Sequence, residues 1–402
     1  MHRAFLATTD RIARRFRCVK QREHRSRRAP KPQQRLLRSA RLPLPAASTL
    51  PKYIPELDGL RAVAVLLVLL FHLNLPWLSL GWTGVTLFFV LSGFLITGIL
   101  LDSRGQPGNL RNFYARRVLR ILPIYYLTLS AIMLAAGARG QDTADLPYYI
   151  SYTQNYVLGL SGFDARFPMA FNHSWSLAVE EQFYLLWPLA VLGLERSQLA
   201  GLVSGLFALG ILTRALILLT LHNPTLMSTP LPAQLEPLTL GAGLALLARS
   251  GLDCGVIARW SLIVAVASGA ALYLMVRAIG LDNFWHPENW ALSISNLPFP
   301  SLVALFWGGL LGVAVFGKTL LSPLLRVAFF RRIGKISYGI YMYHFPVYVA
   351  CDNLLPALVS HYSAVPEKVA LGAAKLCITY LLASLSWSLV ESPLLALKRH
   401  FR

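Results

Sequence analysis

The chain alternates long apolar stretches with short polar connections over most of its length. A helix of about 20 apolar residues, rising about 1.5 Å per residue, crosses the roughly 30 Å hydrocarbon core of a bilayer. The pattern therefore predicts an all-α fold, a polytopic transmembrane helical bundle of about ten spans. The predicted spans are residues 60–78, 82–101, 119–137, 175–194, 200–221, 234–249, 260–279, 300–317, 336–352 and 369–389.

Composition indicates the same class, because 55% of the residues are hydrophobic and only 14% are charged, whereas soluble domains carry about 25% charged residues. The net charge of +20 is concentrated in residues 1–52, which hold 15 Lys and Arg against two acidic residues. We expect this segment to be a disordered basic tail. A nucleic-acid-binding arm is the alternative, but a tail beside anionic lipid suits a membrane protein better, so we expect no nucleic acid partner. The four cysteines show no zinc-site spacing, and we expect no metal site.

Charge also predicts the orientation in the membrane. The loops 102–120 and 318–335 and the C-terminal segment 394–402 are rich in Lys and Arg, whereas the loops 139–173 and 280–299 are neutral to acidic. Because cytoplasmic loops carry the excess of Lys and Arg, we expect both termini in the cytoplasm.

The first predicted span carries two ionisable residues, Arg61 and His72. Eleven residues at about 100° each return to nearly the same helix face, and they span about 16 Å along the axis. Ionisable residues in a membrane helix usually face a protein interior or a wet cavity and mark function. The alternative is that Arg61 extends to the interface and His72 caps the helix with a hydrogen bond.

Three further arginines, Arg116, Arg117 and Arg120, open the third predicted span. Arginine suits bidentate recognition of phosphate. Together with Arg61, these residues would therefore suit a phosphate-rich ligand at the cytoplasmic end of the bundle. The alternative is that they only determine topology.

The fourth predicted span contains two adjacent carboxylates, Glu180 and Glu181, inside an apolar run. Glu180 lies on a polar and aromatic helix face, whereas Glu181 falls on a more apolar face, so Glu180 is the predicted inward carboxylate. A buried carboxylate needs a partner, and we expect Glu180 to lie at the depth of His72 and to orient its imidazole. A structural polar clamp between helices is the alternative. The polar and aromatic face comprises His173, Ser176, Glu180, Tyr184 and Trp187.

Two other predicted spans carry features of interest. His344 stands between tyrosines in the ninth span, as a second polar site or in an interfacial helix with aromatics at headgroup level. Gly84, Gly93 and Gly98 in the second span suit a close approach between helices.

These residue types together suit group transfer. A histidine poised near neutral pH can take a proton from a hydroxyl and make it a nucleophile. An arginine cluster can hold a phosphorylated carrier such as coenzyme A in the cytoplasm. A transporter or flippase for an anionic glycan, with the same residues along its path, is the alternative that the residues leave open.

Five segments carry a resemblance beyond these local patterns. The pair Arg61 and His72 fits a motif of a basic residue, ten others and a histidine, and Arg117 and Arg120 fit an Arg-x-x-Arg motif. The segments resemble the membrane-bound acyltransferase 3 family over about residues 53–393. They are PELDGLRAVAVLLVLLFH, GVTLFFVLSGFLIT, FYARRVLRILPIYYL, HSWSLAVEEQFYLLWP and SYGIYMYHFP, of which the fourth holds the family's Trp-Ser-Leu motif at Trp175, Ser176 and Leu177 with Glu180 and Glu181.

The resemblance implies transfer of an acyl group, commonly acetyl, from cytoplasmic acyl-CoA to a hydroxyl of an extracytoplasmic carbohydrate or glycolipid, such as lipopolysaccharide or peptidoglycan. It implies a bacterial inner-membrane location and an acyltransferase domain at 53–393, between the tail 1–52 and a cytoplasmic tail at 394–402. The candidate residues are His72, Glu180 and Glu181 for catalysis, Arg61, Arg116, Arg117 and Arg120 for the acyl-CoA donor, and His173, Trp175, Ser176, Tyr184 and His344 for the acceptor.

One position departs from the pattern of the family that the chain resembles. Many relatives carry an arginine two residues before the acidic position that Glu236 occupies, and this chain has Gln234 there. Whichever contact that arginine makes in the relatives is therefore in doubt for this chain. The departure does not bear on a histidine-based chemistry.

Overall fold

The structure is a computed structural model that describes residues 50–51, 53–74, 76–163, 169–280, 297–317, 319–354 and 365–401. The predicted tail 1–52 lies outside these residues apart from residues 50 and 51, and so does most of the loop 280–299. The described residues form helices and connecting turns, with no β-strand among them. This confirms the predicted all-α class.

Among the described residues, ten principal helices correspond one to one with the predicted spans. They are α1 (Pro55–Phe71), α2 (Thr83–Asp102), α3 (Asn109–Ala138), α4 (Trp175–Gly193), α5 (Arg196–Leu221), α6 (Leu235–Leu247), α7 (Cys254–Ile279), α8 (Pro298–Phe316), α9 (Ser337–Leu354) and α10 (Val365–Ser386).

Short helical segments connect or extend these principal helices. The short α-helices are Leu146–Ile150, Gln154–Ser161, Leu321–Leu325, Ala328–Lys335 and Ser392–Ala396; 3-10 turns occupy Pro76–Trp82, Met169–Ser174, Leu231–Gln234 and Leu397–His400, and a π turn occupies Trp387–Glu391.

Within the described ranges, six helices are long and apolar enough to cross a membrane. The chain is therefore a multi-pass membrane protein. The count of ten spans stays a prediction, because α1 and α6 have only 17 and 13 residues. The six helices are Leu78–Asp102, Asn109–Ala138, Arg196–Leu221, Cys254–Ile279, Pro298–Phe316 and Val369–His400.

The ends of α1 follow from its sequence. Pro55 stands at the start of the helix, where its missing N–H costs no hydrogen bond. Glu56 and Asp58 in the first turn interact favourably with the positive end of the helix dipole. The helix ends at Phe71, so His72 lies at its C-terminus, although the predicted span continued to residue 78.

Glycines allow the central helices to touch. A Cβ atom on Gly93 of α2 would lie 1.9 Å from the carbonyl oxygen of Leu238 in α6, and one on Gly84 would lie 2.3 Å from the carbonyl oxygen of Ala64 in α1. The expected role of Gly84 and Gly93 in close helix approach is therefore confirmed. Gly98 instead faces the guanidinium group of Arg249.

A buried ion pair joins α5 to α6. Arg214 contacts the carboxylate of Glu236, and both side chains are almost fully buried. Arg214 also donates to Ser301 of α8 at 2.8 Å. Gln234 takes no part in this pair, since its side-chain amide donates to the carbonyl oxygen of Ser228 at 2.5 Å. The cation beside Glu236 thus comes from a neighbouring helix rather than from position 234.

The apolar interior is divided into clusters between the helices. One cluster contains Val65 and Val68 of α1, Tyr125 of α3, Ala178 of α4 and Met342 of α9. These four helices are the ones that carry most of the polar residues singled out in the sequence, so the cluster fixes the positions of those residues relative to one another.

Candidate active site

Two neighbouring cavities enter the bundle beside the first turns of α1. The outer cavity lies against the exposed side of the helix Ala328–Lys335. The inner cavity lies between α1, α2, α3, α4 and α9. Arg61, Arg120 and Tyr338 line both cavities, so the cavities adjoin at these residues, and we refer to the two together as the arginine-lined path.

Three of the four predicted donor-binding arginines lie on this path. Arg61 and Arg120 stand where the two cavities meet, and Arg117 lines the inner cavity. Arg61 forms an ion pair with Asp58 at 3.3 Å. The guanidinium carbon of Arg117 lies 4.7 Å from the ring centroid of Tyr184, a cation–π contact. The arrangement concentrates positive charge at the neck of the path.

Arg116, the fourth predicted donor-binding arginine, lies elsewhere. Its Nε donates to the carbonyl oxygen of Phe401 at 2.6 Å, and it lines neither cavity. Successive residues of a helix point about 100° apart. Arg116 on α3 therefore binds the C-terminal segment while Arg117 faces the inner cavity.

Glu180 forms part of the wall of the inner cavity. The Ser92 hydroxyl donates to its carboxylate at 2.5 Å, and the Tyr184 hydroxyl donates to Ser92 at 2.8 Å. Glu180, Arg117 and Arg120 line the same cavity. The Glu180 carboxylate therefore lies in the same part of the path as Arg117 and Arg120.

Three imidazoles form a cluster at the other end of α1. The ring centroid of His344 lies 4.9 Å from that of His72 and 5.1 Å from that of His173. His72 Nδ1 lies 2.9 Å from the carbonyl oxygen of Val68 and 3.3 Å from His344 Nε2. His344 Nδ1 lies 2.6 Å from the carbonyl oxygen of Tyr341.

These contacts assign the tautomers of two rings. A carbonyl oxygen only accepts hydrogen bonds, so the neighbouring Nδ1 atoms of His72 and His344 carry the protons. His344 Nε2 is then an acceptor directed at the Nδ1–H of His72. In the neutral ring of His72 the basic nitrogen is consequently Nε2, and a base with its other nitrogen held in this way is oriented for proton transfer.

The contact that we expected between Glu180 and His72 is not made, and this expectation was wrong. The partners of His72 are Val68 and His344, while the partner of Glu180 is Ser92. The reason is depth, because the imidazole cluster lies level with His173, seven residues before Glu180. Seven residues correspond to about 10 Å along a helix.

A short chain of hydrogen bonds separates the inner cavity from the imidazoles. The hydroxyls of Ser176 and Tyr341, which both line the inner cavity, are 2.6 Å apart. The Tyr341 hydroxyl also lies 2.9 Å from the carbonyl oxygen of His173, to which it donates. Tyr341 therefore contacts the cavity through its hydroxyl and holds His344 through its backbone.

His173 is buried beside this chain. Neither of its ring nitrogens makes a hydrogen bond of good geometry among the described residues, although backbone groups of Ala170, Tyr341 and Met342 lie close to the ring. A neutral imidazole always has one N–H donor, and an unused buried donor is costly. His173 can therefore supply a hydrogen bond to a molecule that enters the cluster.

The remaining predicted site residues divide between the cavity wall and the surrounding packing. Tyr184 lines the inner cavity. Trp175 packs edge-on against Phe89, with ring centroids 6.2 Å apart. Glu181 lines neither cavity. In the part of the chain that the structure describes, no group of three or more His, Cys, Asp or Glu side chains could hold a metal ion.

The structure adds residues that the sequence pattern did not single out. Ser92 lies in the second span, where the sequence pattern indicated a role only for the glycines. Tyr338 and Glu391 line the outer cavity although they are distant in sequence from Arg61 and Arg120. The outer cavity also contains Arg331, Arg332 and Lys335, which the sequence suggested only as determinants of topology.

The fold and the site define a multi-pass helical membrane protein with an arginine-lined path and a buried imidazole cluster behind the hydroxyls of Ser176 and Tyr341. Residues 54–385 match the family described as an acyltransferase domain, acyltransferase 3. The chain belongs to this family, which confirms the resemblance found in the sequence.

Curated relatives align with most of the chain. Peptidoglycan O-acetyltransferase OatA of Listeria monocytogenes is 28% identical over 371 residues, which are 85% of this chain and 56% of that protein. O-acetyltransferase OatA of Staphylococcus aureus is 27% identical over 364 residues, 86% of this chain and 57% of that protein. The chain spans about half the length of the curated relatives it matches. No solved structure matches it.

Proposed function

We propose that the chain is a membrane O-acyltransferase that moves an acyl group, most simply acetyl, from cytoplasmic acyl-CoA to a hydroxyl of a cell-envelope carbohydrate. Its membership of the acyltransferase 3 family supports the reaction class. The observation that carries the proposal is the orientation of His72, whose Nδ1 is held by Val68 and His344. This leaves Nε2 as the basic atom of the ring.

In the proposed reaction, His72 Nε2 takes the proton of the acceptor hydroxyl. The hydroxyl oxygen then attacks the thioester carbonyl carbon, a C–O bond forms, and the negative charge collects on the carbonyl oxygen. His173, whose ring nitrogens make no hydrogen bond of good geometry among the described residues, is the proposed donor to that oxygen. When the C–S bond breaks, the CoA sulfur leaves as a thiolate and receives the proton from the His72 imidazolium.

The donor side of the proposal rests on the arginine-lined path. CoA carries several phosphates, and arginine binds phosphate strongly. Arg61, Arg117 and Arg120 lie on the path, and the chain ends carry an excess of Lys and Arg. We therefore propose that the path opens to the cytoplasm and that both termini lie there. Arg116 has no part in this proposal.

The class of the acceptor is inferred from the names of the relatives. The Listeria protein is named as a peptidoglycan O-acetyltransferase. We propose a carbohydrate of the bacterial cell envelope as the acceptor, reaching the imidazole cluster from the side opposite to the arginines. The names of the relatives do not favour the alternative function, a transporter or flippase for an anionic glycan.

The test uses the purified full chain in proteoliposomes with acetyl-CoA labelled in the acetyl group and a peptidoglycan-derived oligosaccharide. We expect alkali-labile label on the oligosaccharide and one free CoA thiol released for each acetyl group transferred. Movement of the glycan across the membrane without release of CoA would support the transporter and contradict the proposal.

The donor role of the arginines has its own test. Arg117→Ala combined with Arg120→Ala should raise the KM for acetyl-CoA by about tenfold or more, because a charge-assisted hydrogen bond contributes about 1.5–3 kcal/mol. Arg111→Ala is the matched control, since Arg111 is exposed at the start of the same helix and lines neither cavity. An equal KM in the two variants would remove the donor role.

A further inference from the structure

We propose that the outer cavity binds the nucleotide end of the donor, an adenosine with one phosphate at its 3′ and one at its 5′ position, through Arg331, Arg332 and Lys335. The inference rests on the proposed function, because it names the part of the acyl-CoA molecule that this cavity recognises. All three residues belong to the short helix Ala328–Lys335, are exposed, and line the cavity.

The charge of the outer cavity suits a polyphosphate. The three cations of the short helix stand in one cavity with Arg61 and Arg120, whereas the carboxylates that line it are those of Asp58 and Glu391. Asp58 is already engaged, because it pairs with Arg61 and accepts a hydrogen bond from Tyr53 at 2.7 Å.

No described carboxylate neutralises the cations of the short helix. Across the described ranges, none of Arg331, Arg332 and Lys335 forms an ion pair with a carboxylate. Their neighbour Arg326, by contrast, binds the buried carboxylate of Glu56 at 2.6 Å. Within the described part of the chain, the short helix therefore presents three positive charges without a carboxylate partner to the cavity, which is the environment that phosphates prefer.

Aromatic rings stand beside these cations at the rim. The Arg331 guanidinium carbon lies 5.9 Å from the ring centroid of Tyr53, and the Lys335 ammonium lies 5.3 Å from that of Trp387. Both rings line the outer cavity. Purine bases stack on aromatic side chains next to basic residues, so the rim offers a place for the adenine as well as for the phosphates.

The order of polar and apolar groups along the path, which leads from this site towards the imidazoles, suits acyl-CoA. The neck at Arg61 and Arg120 is polar, and beyond it the inner cavity has apolar walls that include Phe88 and Leu95. With the nucleotide bound in the outer cavity, the flexible, uncharged pantetheine arm of acyl-CoA would pass through the neck. From Arg61 to His72 the helix rises about 16 Å, which the arm must span to bring the thioester to His72.

The test compares donors that keep or lack the nucleotide. Arg332→Gln combined with Lys335→Gln should raise the KM for acetyl-CoA about tenfold or more, without changing the kcat at saturation. The same variant should leave the KM for S-acetyl-4′-phosphopantetheine unchanged, since that donor has no nucleotide. Arg259→Gln is the matched control, because Arg259 is an exposed cation that lines neither cavity. An equal rise in KM for both donors would overturn the proposal.

A second arm separates a nucleotide from an anionic lipid headgroup, which shares the phosphate chemistry. Binding of 3′,5′-ADP to the protein in phosphatidylcholine nanodiscs should be measurable for the wild type and weakened about tenfold in the double variant. If the variant affects activity only in membranes that contain phosphatidylglycerol, and 3′,5′-ADP does not bind, the cations bind lipid headgroups and the proposal fails.

The two arms also distinguish this inference from the proposed function. If the wild type transfers acetyl groups and the double variant keeps the wild-type KM, only the nucleotide site is wrong. If the wild type transfers no acetyl group but binds 3′,5′-ADP through Arg332 and Lys335, the nucleotide site stands and the proposed transfer reaction is wrong.

Discussion

Replacing His344 tests whether this residue holds His72 in its reactive orientation. His344→Phe keeps a ring of similar size but removes the acceptor that lies 3.3 Å from His72 Nδ1. His72 then keeps only the carbonyl oxygen of Val68, at 2.9 Å. The lost hydrogen bond matters most when His72 becomes a cation in the reaction. A hydrogen bond to a charged group contributes about 1.5–3 kcal/mol, so the kcat should fall about 10- to 150-fold.

The assay is steady-state acetyl transfer in proteoliposomes, with kcat and the KM for acetyl-CoA measured separately. The KM should stay unchanged, because the cations assigned to the donor are far along the path from His344. His344→Gln should recover much of the lost rate, since its amide oxygen can accept from His72. Equal losses in the Phe and Gln variants would refute the positioning role, and so would a change confined to the KM.

Three further predictions follow from contacts elsewhere in the bundle. Glu180→Gln should lower the kcat less than His72→Gln does, since Glu180 is not the partner of His72; equal losses in acetyl transfer would contradict the observed geometry. Gly93→Leu should destabilise the protein by about 1–3 kcal/mol or more, because the new Cβ would meet α6, whereas Gly137→Leu, with open space around it, should not; thermal unfolding in detergent measures both. Arg214→Met should cost about 3–5 kcal/mol by leaving Glu236 unpaired, and adding Glu236→Met should restore most of it; a double variant no more stable than the single one would show that the pair is not the cause.

Local periodicity predicted the helices and the arginine-lined end of the site. The apolar runs located all ten principal helices, and the positions of Arg117 and Arg120 at the start of the third span predicted their place beside Arg61. These predictions succeed because each depends on residues within a few helical turns. The depth of His72 was harder to predict, because an apolar run does not mark where a helix ends inside it.

Contacts between distant segments could not be predicted in this way. His344 meets His72 across a sequence separation of 272 residues, and no local pattern records that pairing. The same holds for Arg214, which supplies the cation beside Glu236 from another helix, and for the helix Ala328–Lys335, whose charges indicated topology but not a cavity. These features depend on how helices pack, which a single sequence specifies only through its complete fold.

The most direct test of the central claim is acetyl transfer by His72→Gln, measured as ester-linked acetyl on the oligosaccharide in proteoliposomes at equal amounts of folded protein. The account predicts that the wild type forms this product and that the variant forms none above background. Product at the wild-type rate from His72→Gln would contradict it.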